Sequence, residues 1–294
     1  MGQKVPGSGR RGKILWVLLG CALFVLLSLT VAQLLPRGID WYMTFRPATL
    51  AFLSGQSPYD SPALQAPMPG APWSLLPLLP LAVLPEQIGR GFLLILSLAA
   101  FAYAAFRLGA KPVALAAFIL SPPVLHCLLN ANLDWMPVLG FVLPPAVGLF
   151  FLAVKPQMGS IVALFWFVEA WRRGGWKEAA RVFGPVSAAF ALSLIAYGFW
   201  PVNMLRAAEY TLWWNASLWP ASIPVGLGLA VAALRRRNVR FAMAASPCLS
   251  PHVLLHSWSG ALISIAAFPW ETIATVIGLW ILVLLQGAHL GGAW

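Results

Sequence analysis

The stretch from Ile14 to Leu35, ILWVLLGCALFVLLSLTVAQLL, decides the fold class. It runs for 22 residues without a charge. About 20 apolar residues suffice to cross the hydrocarbon core of a bilayer. Lys4, Arg10, Arg11 and Lys13 stand just before it. A basic flank and an apolar run can also make a secretory signal. This run is longer than a signal core, and no clean A-x-A cleavage site follows it. The reading is a retained first span, with residues 1–13 as a basic N-terminus in the cytoplasm.

The rest of the chain agrees with a membrane solvent. Of 294 residues, 60% are hydrophobic and 9% charged, with mean hydropathy +0.81. A soluble domain is about 45–50% apolar and about 25% charged. That gap excludes a soluble enzyme, a disordered tail and a nucleic-acid-binding module. The formal net charge of +11 then reads as membrane sidedness, not as affinity for nucleic acid. Twenty-five prolines predict short or broken helices, and fifteen tryptophans suit the membrane–water interface. Cys21, Cys127 and Cys248 show no metal-ligand or disulfide spacing and read as small buried apolar residues.

Outward from the first span, residues 36–85 form a loop rich in Pro, Gly and Ser. Within it Asp40 to Ser54 predicts an amphipathic helix on the outer surface. Residues 73–84, WSLLPLLPLAVL, are too short for a span and predict a second interfacial or re-entrant helix. Apolar runs follow at about 87–106, 112–129, 133–143, 144–154, 157–171, 182–200, 219–234, 239–249, 253–268 and 271–288. The expectation is an all-α polytopic membrane protein of about eleven (9–12) transmembrane helices, forming one domain over residues 14–290. Several helices are short, and short helices that meet within a membrane surround cavities.

Charge tests this layout. Alternating from a cytoplasmic N-terminus, the inner side receives fourteen Lys and Arg against Glu169, Glu178 and Glu271. The outer side receives Arg37, Arg46, Arg90, Lys155 and Arg206 against Asp40, Asp60, Glu86, Asp134 and Glu209. All the excess falls inside, as orientation by positive charge requires. The inner clusters Arg172-Arg173 and Arg235-Arg236-Arg237 read as anchors to anionic lipid.

The outer side holds the residues of chemical interest. Asp40, in Asp40-Trp41-Tyr42, can act as general base on a hydroxyl at the outer surface, or can cap the helix after it. Lys155, in Lys155-Pro156-Gln157, can meet a phosphate as a point charge, or can snorkel to the interface. Asp134, after Asn130-Ala131-Asn132, can line a cavity or cap the next helix. His252 and His256 are spaced i, i+4, which predicts one helical face. For His252 a hydrogen bond to substrate and simple packing both fit. No Glu accompanies the pair as in HExxH, so no metal is expected. His126 reads as a packing residue. Asn215-Ala216-Ser217 matches a glycosylation triplet that chance often produces. No GxSxG, P-loop or GxGxxG motif points to cytosolic nucleotide chemistry.

The order of these elements resembles the GT-C class of integral-membrane glycosyltransferases. It is most similar to glycosyltransferase family 87, the polyprenol-phosphate-mannose-dependent mannosyltransferase-like group. The likeness runs over about residues 14–270. It rests on one span followed by Asp40-Trp41-Tyr42, the element Gly55-Gln56-Ser57-Pro58-Tyr59, and the proline-flanked helix from Pro72 to Pro85. It continues with the small-residue helix from Gly148 to Lys155-Pro156-Gln157, the turn Trp171-Arg172-Arg173, and Ser246-Pro247 with Pro251-His252. The family's Gly-Gln-x-Asn element is replaced by Asn130-Ala131-Asn132, and the chain is short for the class.

The resemblance implies transfer of a mannose-like hexose or a pentose from a polyprenyl-phosphate donor to a lipid or glycan acceptor. The transfer would occur outside the plasma (inner) membrane, with inversion. Asp40 would be the base. Lys155, His252, Arg46, Tyr59, Gln157, Asp134 and Asn132 would bind substrates. No cofactor or metal is implied beyond the lipid-linked donor, and the partners are membrane lipids, donor and acceptor. Two other classes fit the composition: a flippase or transporter of lipid-linked saccharide, and an inactive membrane subunit. The distances among Asp40, Lys155 and His252 separate the three.

Overall fold

The computed structural model describes residues 10–289; Lys4 and most of the basic N-terminal segment lie outside them. All the regular structure among the described residues is helical, with no strand. Helix α1 (Arg10–Leu34) leads into a π turn over Trp41–Phe45, which continues as α2 (Arg46–Leu53). A 3-10 segment, Pro72–Leu78, runs into α3 (Leu79–Ala82). Then come α4 (Glu86–Arg107), α5 (Pro112–Ile119), α6 (Pro122–Asn130), α7 (Trp135–Gly140), α8 (Pro145–Leu152) and α9 (Pro156–Tyr197). The chain ends with α10 (Val202–Tyr210), α11 (Ile223–Arg236), α12 (Val239–Cys248), α13 (Ser259–Leu262) and α14 (Pro269–His289).

Proline punctuates this order. Pro112, Pro122, Pro145, Pro156 and Pro269 each begin a helix, where the missing N–H has no partner to lose and φ is already helical. In α9, Gly174 and Gly175 leave helical geometry, and Gly175 takes a φ of +60°. The two halves fold back, since Phe167 and Phe183 meet edge-to-face at 5.7 Å.

Among the described residues four helices are long and apolar enough to cross a membrane: Ile14–Leu34, α4, α9 and Pro269–Gln286. Helices α5 and α6, bent by 54°, make a fifth if they act as one span. This is coarser than eleven crossings, and the physical reason is length. The runs 133–143 and 144–154 form helices of only six and eight residues. At 1.5 Å per residue these reach about 9 and 12 Å, against a hydrocarbon core of about 30 Å. They pack on each other through Gly140 and Gly148, where a Cβ on Gly148 would lie 2.5 Å from the Gly140 carbonyl oxygen. Between α1 and α4 the contact is similarly close. A Cβ on Gly91 would lie 2.2 Å from the Ser28 carbonyl oxygen, so only glycine admits this crossing.

Polar contacts tie the helices at two ends. At one end Arg240 Nη2 donates to the Leu108 carbonyl at 2.5 Å. There Arg172 donates to the Leu234 carbonyl at 3.0 Å, and Arg237 Nε to Glu169 at 3.0 Å. At the other end Arg37 pairs with Glu86 at 2.6 Å, Trp41 Nε1 donates to the Glu86 carbonyl at 3.0 Å, and Arg90 donates to the Leu129 carbonyl at 3.0 Å. Asp40, Asn132, Asp134 and Lys155 belong to this second end.

Candidate functional site

The site grows from the turn that follows α1. Gly38 takes a φ of +75°, which a side chain would strain. The turn bends the chain so that Trp41, fully buried, locks onto the start of α4. Asp40 is held just before it, at the head of the π turn. Its carboxylate caps nothing. Instead Asp40 Oδ2 accepts from Asn132 Nδ2 at 2.6 Å.

Asn132 reaches Asp40 because α6 ends in Ala131, a non-glycine residue in the left-handed conformation at φ 57°. Such a residue is uncommon, and strain of this kind gathers at functional sites. The Asn132 amide has a fixed direction, because its Oδ1 accepts from Leu133 N at 2.6 Å. Its Nδ2 therefore faces Asp40, and Asp40 Oδ1 is left without this partner. Burial pushes the Asp40 carboxyl above the usual carboxylate range, opposed by the charges of His256 and Lys155 and by the Asn132 donor. A raised carboxyl holds a proton more readily, as a general base requires.

Lys155 stands at the N-terminus of α9 with its side chain 8% exposed. It is not a bare point charge. Its ammonium pairs with Asp134, which also contacts His256 Nδ1, and both partners are buried. Ser257 Oγ donates to Asp134 Oδ2 at 3.3 Å. Lysine has three N–H donors, so the Asp134 contact leaves others for a ligand.

Asp40, Asn132, Lys155, Gln157 and His252 line one cleft of about 350 Å³. Phe45, Pro67, Pro69, Met204 and Leu254 supply much of its apolar wall. Polar groups converging in an apolar hollow are the usual form of a small-molecule site. His252 binds Thr211 through Nε2 at 3.0 Å. Burial, then the charges of Lys155 and His256, lower its pKa below the usual imidazole value, which favours the uncharged ring.

Other expectations are corrected. His252 and His256 share no helical face: residues 249–254 are irregular, and His256 turns inward to Asp134 in a 3-10 segment. Pro251, lacking an N–H, cannot carry a helix on through that stretch. Asp134 neither lines the cleft nor makes a capping bond; it is the buried counter-ion of Lys155. Arg46 lies on a separate shallow cleft of about 300 Å³ and donates to the Leu84 carbonyl at 3.3 Å. Tyr59 is buried in an aromatic cluster, stacked on Trp200 at 5.8 Å, with its hydroxyl donating to the Gly70 carbonyl. His126, expected to pack, does so, stacking on His256 at 5.5 Å.

Thr211, which meets His252, and Asn215 had no reading as site residues in the sequence. Asn215 is bonded into the loop that carries His252. Its only sequence signal was the glycosylation triplet, which points to a different use. Among the described residues no group of three or more His, Cys, Asp or Glu could hold a metal.

Among the described residues the chain is thus all-helical in its regular structure, with helices long and apolar enough to span a membrane and a cleft at one end that gathers Asp40, Lys155 and His252. No protein-family model matches it, and neither does any curated protein or solved structure.

Proposed function

We propose that the protein is a GT-C-type membrane glycosyltransferase, moving a sugar from a polyprenyl-phosphate donor to a lipid or glycan acceptor on the outer face of the plasma membrane. The observation that carries this reading is the meeting of Asp40, Lys155 and His252 in one cleft. A transporter needs polar groups that continue to the other end. There Arg172, Arg237 and Arg240 are taken up by Glu169 and by backbone carbonyls. An inactive subunit with capping residues alone does not need its acid, cation and imidazole in one hollow.

In this reading the chain makes nine passes between the two ends, with α7 and α8 as a re-entrant pair. The N-terminus is cytoplasmic. Counting the pair as two spans would give eleven.

The reaction is a single displacement. Asp40 Oδ1 takes the proton of the acceptor hydroxyl, and the oxygen forms a bond to the anomeric carbon. The bond from that carbon to the phosphate oxygen breaks, its electron pair leaving on the lipid phosphate. Lys155 meets the developing charge with an N–H that Asp134 does not hold. Backside attack inverts the anomeric centre. A hydroxyl bonded at His252 orients one of the two sugars.

The test is transfer of labelled sugar from polyprenyl-phosphate-mannose by the purified protein with a panel of lipid and glycan acceptors. Asp40→Asn is expected to slow transfer by about 10²–10⁴-fold. The acid limb of the parent's pH profile should lie above the ordinary Asp value of 3.8, because a proton on Asp40 removes the base. Equal rates for Asp40→Asn and parent, at equal folded protein, sink the reading.

A further inference from the structure

His252 stands in a loop clamped from one residue. Asn215 Nδ2 donates to the Pro251 carbonyl at 3.0 Å, and Asn215 Oδ1 accepts from Val253 N at 3.0 Å. The side chain thus grips the peptide groups on both sides of His252. The backbone completes the clamp. Ala216 N donates to the Val253 carbonyl at 2.7 Å, Ser217 Oγ to the Ser250 carbonyl at 2.6 Å, and Ser250 Oγ to the His252 carbonyl at 2.9 Å. This is dense bonding for a loop without regular structure.

The imidazole itself is set by Thr211. The Thr211 hydroxyl donates its one proton to the Ala207 carbonyl at 2.7 Å. It can then only accept from His252, so His252 Nε2 carries the ring proton. His252 lines the cleft, and its Nδ1 is buried and bonds to nothing in the protein. A proton there would be a buried, unpaired donor, which is costly. Nδ1 is therefore a lone-pair acceptor.

We propose that Asn215 and Thr211 are positioning residues that hold His252 as a fixed hydrogen-bond acceptor for a hydroxyl of the cleft's ligand. The assignment of that hydroxyl to a sugar rests on the glycosyltransferase reading; the tautomer does not. It gives the cleft a division of labour. Lys155 offers a positive donor for an anionic group, while His252 Nδ1 accepts from a neutral polyol. A neutral Nδ1 lone pair repels phosphate oxygen, so the phosphate of an amphiphilic ligand belongs at the Lys155 side.

The experiment is nitrogen NMR of the full-length protein in detergent, labelled at histidine, with His252→Gln to assign the signal. The parent is expected to show the proton on Nε2 and none on Nδ1 at pH 7.5. Thr211→Val and Asn215→Ala should each move the tautomer ratio readably towards Nδ1–H, while Thr211→Ser keeps the parent ratio. Undecaprenyl-phosphate-mannose should move the Nδ1 resonance, and undecaprenyl phosphate should leave it in place. A parent with its proton on Nδ1 overturns the proposal. So does an unchanged ratio in Thr211→Val, or a bound mannolipid that leaves Nδ1 unmoved. Loss of the transfer reaction with the tautomer intact overturns the glycosyltransferase reading alone.

Discussion

Two ion pairs at opposite ends of the bundle use the same chemistry for different ends. Lys155 and Asp134 are paired with side chains 8% and 0% exposed. Arg237 and Glu169 are paired with side chains 60% and 14% exposed. By residue type alone the two look alike. Burial separates them. An exposed pair gains little, because water and salt already solvate both charges. A buried pair has left water, and each partner depends on the other to offset that loss. The far end therefore holds a charge cluster that can be edited. The cleft end holds one that cannot be cut in half.

The sharpest way to break this comparison is to remove one member of the buried pair. Asp134→Leu leaves the Lys155 ammonium buried without its counter-ion, and is expected to cost about 3–5 kcal/mol. Thermal unfolding in detergent reads the loss. The double change Asp134→Leu with Lys155→Met should recover most of it, since two apolar groups need no partner. The double variant should still fail to transfer sugar, because the donor at the cleft is gone. A single variant as stable as the parent would show that Lys155 escapes to water, and the distinction between the two ends would fall.

How much of this was legible in the sequence follows from which forces act locally. The all-helical class, with helices long and apolar enough to cross a membrane, was legible, because composition and run length report solvent directly. A helix after Asp40 and a short helical stretch at residues 72–82 were legible from their polarity and prolines. Asp40, Lys155 and His252 were singled out because charges and imidazoles are scarce in so apolar a chain. Pairing was not legible: Asp134 meets Lys155 and His256 across 21 and 122 residues, and no periodicity encodes that. Nor was the turn of the α7–α8 pair. A re-entrant pair and two crossings leave every later loop on the same side, so a charge count cannot tell them apart. Asn215 was hidden behind a pattern with another common meaning. Backbone clamps of this kind leave no compositional trace.

The α7–α8 pair offers a milder test that again contrasts buried with exposed. Gly148→Ala places a methyl group against the Gly140 carbonyl and the Trp166 ring, 2.8 Å from its nearest atom. Overpacking of this kind costs about 1–3 kcal/mol. The shift should appear as a lower thermal midpoint, with weaker transfer because α8 leads into Lys155. Gly184→Ala is the control, since its Cβ would meet nothing within 4 Å. Equal midpoints for the two variants would mean that the pair is loosely packed and does not brace the site.

The smallest effect belongs to Arg237. It closes α11 in the left-handed conformation, at φ 51°, where glycine is the favoured residue and a Cβ is strained. Its ion pair with Glu169 is exposed. Glu169 also keeps Arg172 at 2.9 Å, so its carboxylate is not stranded when Arg237 is removed. Arg237→Gly therefore loses an interaction that solvent largely replaces and gains a backbone that fits the turn. The thermal midpoint should stay level or rise slightly, with sugar transfer unchanged. The parent midpoint should also be nearly flat when salt is raised, because screening removes little from a pair that contributed little. If Arg237→Gly instead falls as far as Asp134→Leu, the far-end cluster is a structural keystone. Stability would then follow the number of charges a pair neutralises and not how deeply it is buried.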